Sequence, residues 1–218
     1  MHQGLPLKIL FNGYFYYLAH KSRELTQDMK GVHIFLAEGF EPVEALAPCD
    51  VLRRGGLDAR LVAIEEEPVV MSAHGIAVGP DAFLSELETS PAGISAADVM
   101  IFPGGMPGAR NLAENKTLMR LMREHYAAGG TLAAICAAPG LVLSQLEEVS
   151  GVHFTCYEGF ETPMLSKGAI YTAAGTQTSG RIITGRGPGY ATEFGLAILA
   201  AVKGPDAAAR VRSGMYLD

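Results

Sequence analysis

Short apolar runs that alternate with helical segments constrain the fold of this chain more than any other feature of its sequence. We expect strands at residues 32–37, 59–64, 99–102, 131–135, 152–155 and 181–184, and a hairpin at the sheet edge over residues 69–78. We expect helices at residues 42–54, 115–128, 141–146, 192–202 and 207–212. Strands that alternate with helices form a mostly parallel sheet, and right-handed crossovers place helices on both of its faces. The sequence therefore predicts a single α/β domain.

Composition agrees with a sheet that is covered on both faces. The 218 residues are 49% hydrophobic and 18% charged, and 26 of them are glycine. The net charge is −6 and no basic run occurs, which disfavours a nucleic-acid partner. No segment approaches the ~18–20 apolar residues of a membrane span. We therefore expect neither nucleic acid nor membrane as a partner.

The cysteines indicate a reducing compartment. Cys49, Cys136 and Cys156 are too few and too far apart for a disulfide framework or a Cys-x-x-Cys zinc site. We expect a cytoplasmic protein without a metal site.

The first 28 residues stand apart from the alternating pattern. Residues 7–19 are mildly apolar but are interrupted by Asn12, Gly13 and tyrosines, and no small-residue cleavage pattern follows. We expect residues 1–28 to be an N-terminal extension rather than a signal peptide, and residues 29–218 to form the domain.

Cys136 is the leading candidate for a reactive residue. It follows the apolar run at 131–135 directly and is succeeded by small residues and an expected helix. This arrangement is typical of a nucleophile elbow, where a sharp turn projects a side chain above the sheet. A helix N-terminus favours the thiolate form, so we expect Cys136 to have the lowest thiol pKa of the three cysteines. The alternative is a small buried core cysteine.

Two turns at the same edge offer backbone N–H groups. Gly104 and Gly105 follow the strand at 99–102, and with the Ala137 N–H they could form an oxyanion hole facing Cys136. Taken alone, the glycine pair is equally an ordinary tight turn.

Three glutamates surround the first strand-to-helix junction, at Glu38, Glu41 and Glu44. A glutamate here is compatible with simple helix capping. The alternative is a catalytic role beside Cys136, where a carboxyl group next to a thiolate must hold a proton. It could then donate a hydrogen bond to sulfur and transfer a proton to and from substrate.

The remaining polar candidates favour structural roles. Arg186 follows the last strand and reaches the same edge, but an ion pair with Asp50 or Glu193 is the favoured interpretation. His33 in a strand and His74 in the hairpin are expected to be structural.

Four motifs in order resemble the ThiJ/PfpI superfamily, most closely the branch of YajL and the parkinsonism-associated protein deglycase. They are AEGFEPVEAL at 37–46, FPGG at 102–105, AICAAP at 134–139 and RGPG at 186–189. The resemblance covers residues 29–218 and implies a flavodoxin-like sandwich that forms homodimers.

The resemblance also implies residue roles. Cys136 would be the reactive cysteine, Glu44 its protonated partner, and Gly105 with Ala137 the N–H donors. From their positions in the sequence we expect Gly104, Glu41, Arg186 and Cys156 to support this site. It implies cofactor-free conversion of methylglyoxal or glyoxal to a hydroxy acid, or removal of early glycation adducts. Oxidative-stress sensing or chaperone activity through oxidation of Cys136 is the alternative.

Two positions depart from the resemblance. Protease-type members have a histidine directly after the cysteine, whereas this chain has Ala137, so a protease or amidase activity is disfavoured. Close relatives often have a histidine where this chain has Cys156, which removes an acid–base group and adds a second thiol. We favour a passive role for Cys156 over that of a resolving thiol.

Overall fold

The computed structural model describes residues 27–217. Its strands are β1 (Gln27–Asp28), β2 (Val32–Leu36), β3 (Ala59–Ala63), β4 (Val70–Met71), β5 (Ala77–Val78), β6 (Ala82–Phe83), β7 (Leu87–Glu88), β8 (Val99–Phe102), β9 (Thr131–Ile135), β10 (His153–Phe154), β11 (Ile170–Tyr171), β12 (Thr176–Ser179) and β13 (Ile182–Gly185). Its α-helices are α1 (Pro42–Arg54), α2 (Gly108–Glu114), α3 (Lys116–Ala127), α4 (Ala138–Leu141), α5 (Thr162–Leu165), α6 (Ala191–Lys203) and α7 (Pro205–Gly214).

A seven-stranded sheet organises the domain, in the order β12-β13-β9-β8-β2-β3-β6. Every neighbouring pair is parallel except the antiparallel pair β12–β13. The central order β3-β2-β8-β9-β13 is that of a flavodoxin-like doubly wound sheet, which confirms the expected fold class. In such sheets the chain order reverses between the first and third strands, here β2 and β8, and ligands bind beyond the carboxyl ends of the strands at that point.

Alternating side chains of each buried strand pack on opposite faces of the sheet. Ile34 and Leu36 contact the layer of α1, α6 and α7, whereas Phe35 between them contacts the layer of α2, α3 and α4. In the first layer Gly195 of α6 lies against Pro48 of α1, where an added Cβ would be 2.9 Å from the Pro48 Cα. The two helices therefore pack closely, and α1 is held firmly over the sheet.

Most of the expected elements are confirmed, with three corrections. The hairpin forms as β4–β5, but as a separate two-stranded sheet, and β6 occupies the sheet edge instead. The hairpin is joined to the loop after β2 by hydrogen bonds, such as the one that the Ala73 N–H donates to the Phe40 carbonyl at 2.8 Å. The expected helix at 141–146 is instead the single turn α4 followed by a 3₁₀ turn, Leu143–Gln145. The segment between β9 and β13 also contains β11, β12 and α5, which sequence patterning did not predict.

The described structure begins two residues before the expected domain boundary. β1 pairs with β7, and Met29 is fully buried beside it. Residues 1–26 of the expected extension lie outside the described residues. Within residues 27–217, no helix combines the length and the apolar character needed to cross a membrane.

Candidate active site

Cys136 lies in a strained turn between β9 and α4. Its φ of 64° is in the left-handed region, where a non-glycine residue is uncommon. The turn is fixed on both sides, because the Cys136 N–H donates to the Gly185 carbonyl at 2.9 Å and the Cys136 carbonyl accepts from the Tyr157 N–H at 2.8 Å. Cys136 is partly exposed, whereas Cys49 and Cys156 are buried. The expected nucleophile elbow is therefore present.

Glu44, in the first turn of α1 after β2, meets Cys136, which follows β9, across the end of β8 between them. Glu44 is fully buried, and its carboxyl group is in hydrogen-bonding contact with the Cys136 thiol. One carboxyl oxygen, Oε2, accepts from the Gly104 N–H at 2.8 Å. The other, Oε1, is buried and has no hydrogen-bond partner among the described residues. A buried carboxyl oxygen without a donor is costly when charged, which favours a protonated Glu44.

Gly104 lies between the two groups and admits no side chain. A Cβ at this position would be 2.6 Å from both the Cys136 Cβ and Glu44 Oε2, and 2.9 Å from the Cys136 sulfur. Its carbonyl accepts from the Glu41 N–H at 3.0 Å, so the Gly104–Gly105 turn is tied to the start of α1. Glycine at this position is what allows the carboxyl group and the thiol to approach each other.

The backbone N–H groups of Gly105 and Ala137 both interact with the Cys136 sulfur. These are the donors expected from the sequence to form an oxyanion hole. Gly105 has a φ of 84°, and an added Cβ would overlap the Glu41 backbone N, so only glycine fits the turn. The geometry brings the N–H groups to the sulfur, where they stabilise negative charge.

The protonation of the pair differs from the expectation. Burial raises the pKa of Glu44 to about 7. Burial, followed by the charge of Glu44, raises the pKa of the Cys136 thiol to about 12, although the N–H groups of Gly105 and Ala137 act to lower it. The lowered thiol pKa expected for Cys136 is thus wrong while Glu44 is charged. The helix that was to lower it is only the single turn α4, whose dipole is weak.

The two groups also titrate as a coupled pair. Neighbouring acids lose their protons in two steps that belong to the pair. The first proton leaves near pH 7, giving one negative charge that carboxyl group and sulfur can share. The second leaves only near pH 12, because burial disfavours a charged sulfur and because two adjacent anions repel each other. A thiolate in this site therefore requires a protonated Glu44.

The supporting residues expected from the sequence have different structural roles. Glu41 caps α1, and its Oε2 accepts from the Glu44 N–H at 2.7 Å. Arg186 is not paired with Asp50 or Glu193 as expected, because those carboxylates bind Arg54 and Arg212. Instead the Arg186 guanidinium donates to the Ala173 carbonyl at 3.2 Å.

Cys156 is fully buried, and burial raises the pKa of its thiol to about 12. Its neighbour Tyr157 makes the backbone contact to Cys136 that sequence reasoning missed. No signal could have revealed this contact, because a backbone hydrogen bond does not depend on the side chain. Among the described residues, no group of three or more histidine, cysteine or acidic side chains is placed to hold a metal ion.

Comparison with known proteins identifies relatives of this chain. Residues 30–201 match the DJ-1/PfpI family. Protein DJ-1 homolog A of Arabidopsis thaliana is 35% identical over 188 residues, 86% of this chain but 47% of that protein, so the chain spans about half of its length. Glutathione-independent glyoxalase DJR-1.2 of Caenorhabditis elegans is 33% identical over 169 residues, 78% of this chain and 86% of that protein. The crystal structure of a mutant DJ-1 superfamily protein from Salmonella typhimurium is similar with a TM-score of 0.77 and 29% identity, over 87% of this chain and 99% of that one.

Proposed function

Since this chain belongs to the DJ-1/PfpI family, we propose that it is a cysteine-dependent, cofactor-free enzyme that converts 2-oxoaldehydes such as methylglyoxal, or their early adducts, to 2-hydroxy acids. The observation that carries the proposal is the contact between Cys136, held in a left-handed turn, and the buried Glu44, whose pKa is raised to about 7. The C. elegans relative named as a glutathione-independent glyoxalase supports the reaction class.

The first step forms a carbon–sulfur bond. In the reactive form of the pair, sulfur carries the charge and Glu44 carries the proton. The Cys136 sulfur attacks the aldehyde carbon, the carbonyl π electrons move to oxygen, and the resulting oxyanion takes the proton from Glu44. We expect the Gly105 and Ala137 N–H groups, which interact with the sulfur, to stabilise that oxygen once the sulfur has lost its charge. The product is a neutral hemithioacetal beside a charged Glu44.

The second step moves hydrogen between two carbons. The Glu44 carboxylate removes the proton from the former aldehyde carbon, and the electrons form an enediolate whose negative charge lies on the adjacent carbonyl oxygen. The hydroxyl proton of the former aldehyde oxygen passes to that oxygen. Glu44 then returns its proton to the adjacent carbon while the electrons of the former aldehyde oxygen form the carbonyl of a thioester on Cys136. Water hydrolyses the thioester to the hydroxy acid and regenerates the thiol. A carboxyl group with a pKa near 7 suits this role, because it accepts and donates protons with similar ease at neutral pH.

Turnover of methylglyoxal without glutathione tests the proposal. We expect wild-type protein to form lactate, Cys136→Ser to lose at least about 10³-fold in kcat, and Glu44→Gln to lose about 10²–10⁴-fold. The glutamine amide can still donate a hydrogen bond but cannot carry a proton, so the fold should be retained. Cys49→Ser, which changes a buried thiol of α1, serves as the control. Wild-type protein without activity, or a Glu44→Gln variant with near-normal activity, would contradict the assignment.

A redox-sensing or redox-regulated chaperone role uses the same residues and is our second candidate. It is favoured by the partial exposure of Cys136 alone among the three cysteines. Peroxide would oxidise Cys136 to the sulfenate, and a second equivalent to the sulfinate, which a protonated Glu44 could hydrogen-bond. Peroxide titration followed by mass spectrometry, run beside the turnover assay, separates the two candidates.

We also propose that the protein is a homodimer, as the family resemblance implies, and that it is cytoplasmic, as its few, widely spaced cysteines indicate. Exposed apolar side chains lie around the site, on α1 at Val43 and on the hairpin at Met71 and Ile76. Light scattering coupled to size exclusion measures the mass directly: about twice the 23.1 kDa of one chain supports the dimer.

A further inference from the structure

A groove beside Cys136 is used by no step of the proposed reaction. It has a volume of about 290 Å³ and is lined by Tyr157, Glu158 and the segment from Arg186 to Tyr190. Both of its walls are joined to the reactive cysteine by backbone hydrogen bonds. The Cys136 carbonyl accepts from the Tyr157 N–H, and the Cys136 N–H donates to Gly185, the residue before Arg186. The groove therefore lies next to the turn that holds the reactive cysteine.

Two half-exposed tyrosine rings give this groove its chemistry. The Tyr157 and Tyr190 side chains keep 51% and 43% of their surface exposed although they line a concave site. A glycine allows the Tyr190 ring its place, since a Cβ on Gly175 would overlap that ring. The Tyr157 ring packs beside Gly187, where an added Cβ would be 3.4 Å away, an ordinary van der Waals distance. Rings held in this way offer apolar area at a low cost in conformational entropy.

The charges of the groove balance. Arg186 supplies one positive charge and Glu158 one negative charge. Arg186 donates to the Ala173 carbonyl and makes no ion pair among the described residues. A substituent with a net charge would be attracted by one of these groups and repelled by the other. A neutral, flat, apolar substituent gains contact with both tyrosines and meets no such conflict.

We propose that the groove is a specificity site for the substituent of the 2-oxoaldehyde, and that it selects aromatic 2-oxoaldehydes such as phenylglyoxal over methylglyoxal. The proposal rests on the proposed function. The aldehyde carbon reacts at Cys136, while the aryl group lies between Tyr157 and Tyr190. The methyl group of methylglyoxal is too small to contact both rings.

The ratio of kcat/KM for phenylglyoxal to that for methylglyoxal tests the proposal. We expect wild-type protein to favour phenylglyoxal and Tyr190→Ala to lower the ratio about three- to tenfold, the effect of one aromatic contact. Tyr190→Phe, which keeps the ring, should restore the ratio. Tyr216→Ala, at the highly exposed tyrosine that follows α7, is the matched control.

A second variant fills the groove instead of emptying it. Gly189 lines the groove, and an added Cβ there meets no atom within 4 Å, so Gly189→Leu should fold normally and occupy the site. We expect it to lower the ratio as Tyr190→Ala does. Gly214→Leu, at the end of α7 and equally open, should leave the ratio unchanged. An unchanged ratio in both groove variants, or an equal loss for the two substrates, overturns the proposal.

Binding of the product distinguishes an error in the proposed aromatic site from an error in the proposed reaction. Mandelate, the hydroxy acid formed from phenylglyoxal, can be titrated by calorimetry into wild-type and Gly189→Leu protein. If neither aldehyde is converted but mandelate binds wild-type protein and binds the variant at least about threefold more weakly, the proposed function fails and the groove stands. Equal mandelate binding to both proteins, or no binding at all, removes the aromatic site.

Discussion

Two pairs of titratable side chains lie at opposite ends of the strands of the same sheet, which we call the carboxyl edge and the amino edge. At the carboxyl edge, Glu44 contacts Cys136. At the amino edge, His33 of β2 and His125 of α3 are buried, and His125 Nε2 lies 3.2 Å from the Asp98 carbonyl. Both edges contain polar atoms without hydrogen-bond partners among the described residues: Glu44 Oε1 at one, and the Nδ1 atoms of both histidines at the other.

The pairs differ in access and in backbone strain. Cys136 is partly exposed in a left-handed turn, whereas both histidines are enclosed by regular elements. Burial shifts the pKa in each pair, raising that of Glu44 to about 7 and lowering that of His33 to about 4. Perturbed titration is therefore common to a candidate catalytic pair and a structural pair. What distinguishes the candidate catalytic pair is a strained, partly exposed cysteine beside the group whose pKa is shifted.

The largest expected loss of turnover follows from adding one methyl group at the carboxyl edge, with a matched methyl group added at the amino edge for comparison. Gly104→Ala forces Glu44 and Cys136 apart, because its Cβ would be 2.6 Å from both. We expect about 10²-fold lower turnover of methylglyoxal and ~1–3 kcal/mol lower stability. Gly130→Ala is the matched variant, since its Cβ would overlap the buried His125 ring. It should lose similar stability in urea unfolding but keep kcat per folded molecule. Equal loss of kcat in both variants would break the distinction between the edges.

The sequence predicted the carboxyl edge well and the amino edge poorly. The strands and α1 follow from apolar periodicity and from Pro42 and Gly55 at its ends, and parallel strands necessarily bring Glu44, Gly104 and Cys136 to one edge. The thiol pKa could not be predicted, because it depends on how deeply the pair is buried and how near the two groups are. His33 and His125 are 92 positions apart in the chain, and no pattern indicates that they meet.

Short edge elements were also beyond prediction. β11 and β12 are defined by pairing with partners elsewhere in the chain, such as β12 with β13, and not by their own composition. The helix expected at 141–146 is broken into α4 and a 3₁₀ turn. The segment around Phe160 packs closely on α4, because a Cβ added at Gly140 would overlap the Phe160 carbonyl.

A second prediction uses the opposite pH dependence of the two edges. The pKa of Glu44 is raised from 4.5 to about 7, so it lowers stability progressively as pH rises through that range. The pKa of His33 is lowered from 6.5 to about 4, so it lowers stability as pH falls through that range. Burial also lowers the pKa of His125, which therefore acts in the same direction as His33. Glu44 and the two histidines thus have opposite effects on the pH dependence of stability between about pH 4.5 and 6.5.

Substituting one group at a time should reveal its contribution to the pH dependence of the free energy of unfolding. Relative to wild-type protein, we expect the stability of Glu44→Gln to rise more with pH across the interval, by about 2–3 kcal/mol, and that of His33→Gln to rise less, by a similar amount. Urea unfolding at pH 4.5, 5.5 and 6.5 measures both. Parallel pH profiles for the two variants would show that the edges do not titrate in opposite directions.

The smallest effect is expected at Cys156, a buried thiol near the carboxyl edge but outside the pair. Cys156→Ser should cost ~1–2 kcal/mol, because a hydroxyl group is buried, and should leave kcat nearly unchanged. Peroxide should still oxidise Cys136 to the sulfinate. A Cys136–Cys156 disulfide as the main product in wild-type protein, seen by mass spectrometry, would instead give Cys156 a resolving role.

The rate of Cys136 alkylation by iodoacetamide as a function of pH tests the coupling of Glu44 and Cys136 most directly. In wild-type protein the first proton of the pair leaves near pH 7, so the alkylation rate should rise through an inflection there and then level off. In Glu44→Gln that inflection should disappear, and the rate should follow a single thiol with a raised pKa. Identical profiles for the two proteins, with no inflection near pH 7, would contradict a shared proton between Glu44 and Cys136.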